Sequence, residues 1–133
     1  MNFMKKLFSF GIFVMLFAFG ASAQAPASEL KFETTVYDFG VIQETGGLAT
    51  ANFEFSNSGD GPLVINTVSA SCGCTTPDWT REPVSSKGKG FIKVSYNPKG
   101  RVGPFTKSVT VRSNSSDTPV VLQIKGEVVR ETK

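Results

Sequence analysis

The chain has 133 residues, with 14 Lys and Arg against 11 Asp and Glu, two Cys and no His. That length suits one domain with a single core. A net charge of +3 lacks the clustered basicity of a nucleic-acid binder. Without an imidazole, no serine or cysteine has the usual base beside it, which argues against a hydrolase.

The N-terminus reads as an export signal. Met1-Asn2-Phe3-Met4-Lys5-Lys6 supplies a positive start, residues 7–20 are apolar except for Ser9 and Gly11, and Ala21-Ser22-Ala23 offers small residues for cleavage before Gln24. The apolar run is too short to span a bilayer comfortably, and no Cys follows it to take a lipid. Residues 1–23 are therefore expected to be a signal peptide, residues 24–29 a short linker and residues 30–130 one domain. The product is expected in the periplasm or at the cell surface, with no membrane insertion after cleavage. Losing Lys5 and Lys6 from the 14 basic residues leaves 12 against 11 acidic ones, a net of +1.

Residues 30–41 begin in one apolar phase (Leu30, Phe32, Val36) and end in the other (Tyr37, Phe39, Val41). This predicts a bulge or a strand that crosses between two sheets. Asp38-Phe39-Gly40 within it matches a kinase tripeptide, but the rest of the kinase set is missing, so it reads as a strand-to-turn element. Ala51, Phe53 and Phe55 then alternate with polar residues, as expected of a strand with one wet face. The polar clusters 44–47, 57–62, 85–90, 97–100 and 113–119 read as turns. Further one-faced strands are carried by Ile92, Val94 and Tyr96, by Val109 and Val111, and by Val120, Leu122, Ile124, Gly126 and Val128. No window sustains a helical period. The pattern predicts an all-β fold, an immunoglobulin-like antiparallel β-sandwich of about seven strands.

The unusual chemistry is Ser71-Cys72-Gly73-Cys74-Thr75. In a regular strand, residues i and i+2 have Cα atoms roughly 6.5 to 7 Å apart, at the limit for a disulfide. A bridge would need a local turn, which Gly73 could provide by accepting positive φ. Three roles stay open. The thiols could continue the Val68, Ala70 alternation as small core residues. They could be a redox-active or oxidised pair. They could hold Cu(I), with Asp78, Glu82 or a second molecule completing the shell. Trp79, in the proline-rich stretch 76–83, is a lid on the core or an exposed contact, and is the candidate surface contact. Asn114-Ser115-Ser116 is a formal glycosylation acceptor. No catalytic, cofactor-binding or metal-binding set is assigned.

The succession Tyr37-Asp38-Phe39-Gly40-Val41, Phe53-Glu54-Phe55-Ser56-Asn57-Ser58-Gly59, Ser71-Cys72-Gly73-Cys74-Thr75-Thr76-Pro77, Tyr96-Asn97-Pro98, Gly103-Pro104-Phe105 and Leu122-Gln123-Ile124-Lys125-Gly126 resembles the bacterial domain-of-unknown-function family 1573. The framing elements are shared more loosely with the immunoglobulin-like domains of the ASH, hydin and major-sperm-protein group. The resemblance implies a seven- or eight-stranded sandwich, export in bacteria of the Bacteroidetes kind and no established activity, with Cys72 and Cys74 as the hallmark pair. The expectation is a non-enzymatic envelope module, protein-binding or structural, with no cofactor and no nucleic-acid partner. The alternative is a periplasmic thiol-redox or Cu(I)-handling protein acting through Cys72 and Cys74.

Overall fold

A computed structural model describes residues 26–130. The expected signal peptide and the first two linker residues lie outside the described residues. Eight strands follow in order: β1 (Leu30–Phe32), β2 (Val36–Gln43), β3 (Ala49–Asn57), β4 (Ile65–Ala70), β5 (Thr75–Trp79), β6 (Lys89–Tyr96), β7 (Gly103–Ser113) and β8 (Ser116–Val129). They form two four-stranded sheets, ordered β1-β3-β6-β5 and β2-β8-β7-β4. The inward rows of β3, β6, β7 and β8 close into one core, with Phe53, Phe55, Ile92, Val94, Val109, Val111, Leu122 and Ile124 almost completely buried. The all-β sandwich matches the sequence pattern, with three differences that have physical causes.

The phase change in residues 30–41 is both a crossing and a bulge. β1 pairs with β3 in one sheet, and the chain then passes to the other sheet, where β2 pairs with β8. Because β2 arrives by a crossing and not by a hairpin, it runs parallel to β8, the exception to an otherwise antiparallel pattern. Between Asp38, opposite Lys125, and Val41, opposite Glu127, β2 advances one residue further than β8. The Asp38 carboxylate accepts the Gly40 N–H at 2.8 Å, and Gly40 adopts a φ of +67°, a conformation glycine reaches without steric cost. The extra residue flips the alternation. Val41, expected on the face of Tyr37 and Phe39, is 65% exposed, while Ile42 packs against the core.

β5 is the second difference, because a proline-rich stretch supplies a strand. Pro77 lies opposite Val94 on a sheet edge, where the missing N–H does not interrupt a ladder. Thirdly, the expected turn at 113–119 is shorter, since β8 begins at Ser116 and forms a tight hairpin with β7.

One end of the sandwich is organised by Asn57, fully buried at the last position of β3. Its side-chain oxygen accepts the N–H groups of Glu29 (3.1 Å) and Gly59 (3.1 Å). Its amide donates to the carbonyls of Gly61 (2.7 Å) and Val84 (2.9 Å). Both acceptor and both donor positions of the amide are thereby used. The backbone N–H donates to Gly88 O (2.9 Å), and the carbonyl accepts from Lys87 N (2.8 Å). One side chain thus ties the N-terminal segment, the β3–β4 connection and the loop before β6. Residues 26–29 lie close against the backbone of Gly59 and Gly61, where an added Cβ would overlap Ala27 O and Pro26 O respectively.

Asn57→Ala removes the side-chain partner of the Glu29 and Gly59 N–H groups and of the Gly61 carbonyl, while Val84 O keeps its bond from Leu63 N, and should destabilise the domain by about 2–4 kcal/mol. Asn57→Asp keeps the acceptors but turns a carboxylate toward two carbonyls, and should cost at least as much at neutral pH. Urea unfolding followed by circular dichroism measures both.

Candidate functional site

β4 is an edge of one sheet and β5 an edge of the other, so residues 71–74 carry the chain across the side of the sandwich. Ser71 N donates to Ser108 O (2.9 Å), and Ser108 N donates back to Ser71 Oγ (3.1 Å), which fastens the departure from β4. Thr75 N donates to Cys72 O (3.2 Å), closing a four-residue turn, and Asn97 N donates to Cys74 O (2.9 Å). Within this turn Cys72 and Cys74 are joined by a disulfide, with Cα atoms 5.4 Å apart.

This corrects two expectations. The alternation through Val68 and Ala70 stops at the end of β4, so the cysteines are not a pair of free core thiols. Gly73 has no positive φ; a hydrogen-bonded turn with ordinary φ at both central residues is of type I, and it brings the sulfurs together without a left-handed residue. A Cβ added at Gly73 would meet no neighbour.

The two sulfurs differ in surroundings. Cys74 is buried, and Cys72 is half-buried against the core. Thr75, also buried, places its hydroxyl 3.8 Å from Cys72 Sγ and 3.7 Å from Cys74 Sγ. Disulfide sulfur carries no hydrogen, so the hydroxyl is the donor. The Cys74 N–H donates to Cys72 Sγ at 3.3 Å. Across the sheet Thr75 lies opposite Tyr96, whose ring stacks on Phe105 with centroids 4.0 Å apart. Burial raises the Tyr96 phenol above its ordinary 10.0, while the nearby Arg101 pulls it down.

The remaining candidates do not join this turn. Asp78 pairs with Arg81 at 3.6 Å, and among the described residues no group of three His, Cys, Asp or Glu gathers as a metal shell. Trp79 is at the far end of β5 from Thr75. It packs partly on the core, and the Arg81 guanidinium lies 3.5 Å from its ring centroid. Asn114 is committed to the fold. Its oxygen accepts from Val64 N (2.9 Å) and Ser28 Oγ (3.0 Å), and its Nδ2 donates to Pro62 O (3.0 Å). A glycan on that nitrogen would compete with the last bond.

The family model for proteins of unknown function DUF1573 matches residues 30–128. Among solved structures the chain is similar to a protein of unknown function from Porphyromonas gingivalis W83, with a TM-score of 0.63 and 20% identity, over 79% of this chain and 48% of that one. It is also similar to the VesB protease of Vibrio cholerae (TM-score 0.56, 9% identity, 75% of this chain and 31% of that one). The secreted serine protease VesC from the same organism gives a TM-score of 0.53 and 14% identity, over 77% of this chain and 23% of that one. The chain therefore spans about half the length of the first of these proteins and less of the proteases, and at such identities the likeness is one of fold. No curated protein matches the chain. The chain belongs to the DUF1573 family.

A bridge that closes so short a loop removes little entropy from the unfolded chain, about 1.5 kcal/mol in the chain-entropy treatment. Reduction should lower the unfolding free energy, read from urea unfolding, only by that amount and leave the domain folded. Tyr96 sets an alkaline limit. The unfolded chain ionises its phenol at 10.0, before the folded one does, so the stability its burial contributes is complete below that pH and lost as pH rises through the raised folded value. Tyr96→Phe should move the onset of alkaline unfolding upward, read by far-UV circular dichroism between pH 9 and 12.

Proposed function

We propose that this DUF1573 protein is an exported, non-enzymatic immunoglobulin-like module of the bacterial envelope that docks a protein partner along edge strand β2. The observation that carries the reading is the contrast among the four sheet edges. β1 has three residues, β5 contains Pro77, and β4 turns Asn66, Thr67 and Ser69 to solvent. These are ordinary ways of blunting an edge. β2 is eight residues long and exposes Val36 (43%), Tyr37 (38%) and Val41 (65%). On the neighbouring strand Val121 is exposed as well. At the bulge, Asp38, Gly40, Val41, Lys125 and Glu127 border a depression of about 420 Å³.

An extended segment added to such an edge gains main-chain hydrogen bonds, and its side chains read the apolar and charged positions beside the strand. The bulge at Gly40 limits how long a continuous ladder can be, which favours a short segment over indiscriminate strand addition. Export rests on the N-terminal pattern of charge, apolar run and small residues. The redox half of the alternative function keeps an observation of its own, a joined sulfur pair in a partly exposed turn. The Cu(I) half has no third protein donor gathered beside the sulfurs among the described residues.

A photo-reactive amino acid placed at Val41 should cross-link one discrete envelope protein in living cells, whereas the same group at Lys93, on the outer face of the other sheet, should not. Equal labelling from both positions, or none from Val41, would contradict the docking edge. N-terminal sequencing of the protein from osmotic-shock fluid or the cell surface should begin at Gln24; an intact Met1 terminus would contradict export by cleavage.

A further inference from the structure

We infer that the Cys72–Cys74 disulfide is a two-electron exchange site whose attacked sulfur is Cys72, and that its reaction partner is a dithiol. Three features of the turn point there. The bridge is a weak staple, closing a loop that its own turn hydrogen bond already closes. Its two sulfurs are unequal in access, Cys72 half-buried and Cys74 buried. Each sulfur also has a hydrogen-bond donor within reach: the Cys74 N–H at Cys72 Sγ (3.3 Å), and the Thr75 hydroxyl, 3.7 Å from Cys74 Sγ and 3.8 Å from Cys72 Sγ, free to turn to whichever sulfur takes the charge. A structural bridge requires none of these donors. A sulfur that becomes a thiolate gains from each of them.

The exchange follows the usual in-line displacement. A thiolate of the partner attacks Cys72 Sγ, because Cys74 Sγ is shielded. A sulfur–sulfur bond forms between the partner and Cys72 as the Cys72–Cys74 bond breaks. The electron pair leaves on Cys74 Sγ, where the Thr75 O–H stabilises it until solvent supplies a proton. The partner's second thiolate then attacks its own sulfur in the mixed disulfide and releases Cys72 as a thiolate, facing the Cys74 N–H. The partner dithiol is oxidised to a disulfide and the Cys72–Cys74 pair is reduced, two electrons having moved. In reverse, the Cys74 thiolate resolves a mixed disulfide on Cys72. Thr75 acts as a positioning residue for the leaving sulfur. Asn97, Ser71 and Ser108 hold the backbone of the turn, so the bond can open and close on a fixed frame.

Glutathione serves as the probe thiol. The purified native chain is mixed with glutathione, quenched with acid, alkylated and fragmented by mass spectrometry between residues 72 and 74. The trapped glutathione should sit on Cys72 in roughly tenfold or greater excess over Cys74. With dithiothreitol as the probe dithiol, Thr75→Val should slow reduction roughly tenfold, the loss of one hydrogen bond to a charged group, and Thr75→Ser should restore the rate. A Thr75→Val variant that misfolds is recognised by its circular dichroism, and the glutathione mapping on the unsubstituted chain then decides. Glutathione found equally on both sulfurs or mainly on Cys74, or a bridge that is reduced only in denaturant, would overturn the inference.

Discussion

One buried amide sets the geometry of an entire end of this sandwich. Three chain segments converge beside Asn57, where a single bridge between Leu63 and Val84 is the strand pairing between two of them and other backbone groups need a side-chain partner. Two N–H groups and two carbonyls from those segments all end on this one side chain. An apolar residue there would leave Glu29 N, Gly59 N and Gly61 O without that partner, a penalty larger than the modest gain from each bond when made. The docking of residues 26–29 follows from the same network, because Glu29 N is one of its donors. The close approach of that segment to Gly59 and Gly61 leaves no room for a side chain at either position.

The position was legible in one respect and hidden in another. Ala51, Phe53 and Phe55 define an inward row, and the same period continued by one step points Asn57 inward. A polar residue followed by Ser58-Gly59 reads as the start of a turn, and that local signal masked the period. The β2 bulge behaves similarly. The phase change was visible in the pattern, but which residue absorbed it depended on Asp38 capping the Gly40 N–H, a bond of geometry and not of composition. β5 was obscured by Pro77, whose tolerance depends on the strand being an edge, a fact of topology. The cysteine spacing showed that a bridge would need a turn. It could not show that the chain changes sheets at that point, nor that Thr75 sits between the sulfurs.

The Cys72–Cys74 turn lies toward the opposite end of the sheet. Asn57 is the last residue of β3, while Ala49 at its start lies opposite Tyr96, and Tyr96 lies opposite Thr75 on the other side. With about 3.3 Å per residue, nine residues of strand separate the two features by roughly 25 Å. The division of labour is physical. At the Asn57 end the side chain of Asn57 has all four of its hydrogen-bond positions used and the segments are closely packed, which makes it costly to open. The turn end has one partly exposed sulfur and backbone anchors that do not depend on the bridge, so it can change covalent state without disturbing the core. The β2 edge adds a third, separate surface on the outside of the second sheet.

A locally reversible sulfur turn on a frame fixed elsewhere can be seen by comparing amide NMR spectra of the oxidised and natively reduced protein. Shift changes should be concentrated in residues 71–75 and their anchors Asn97 and Ser108, with the Asn57, Gly59 and Gly88 amides unmoved. Shift changes spread through the core, or loss of dispersion on reduction, would contradict it.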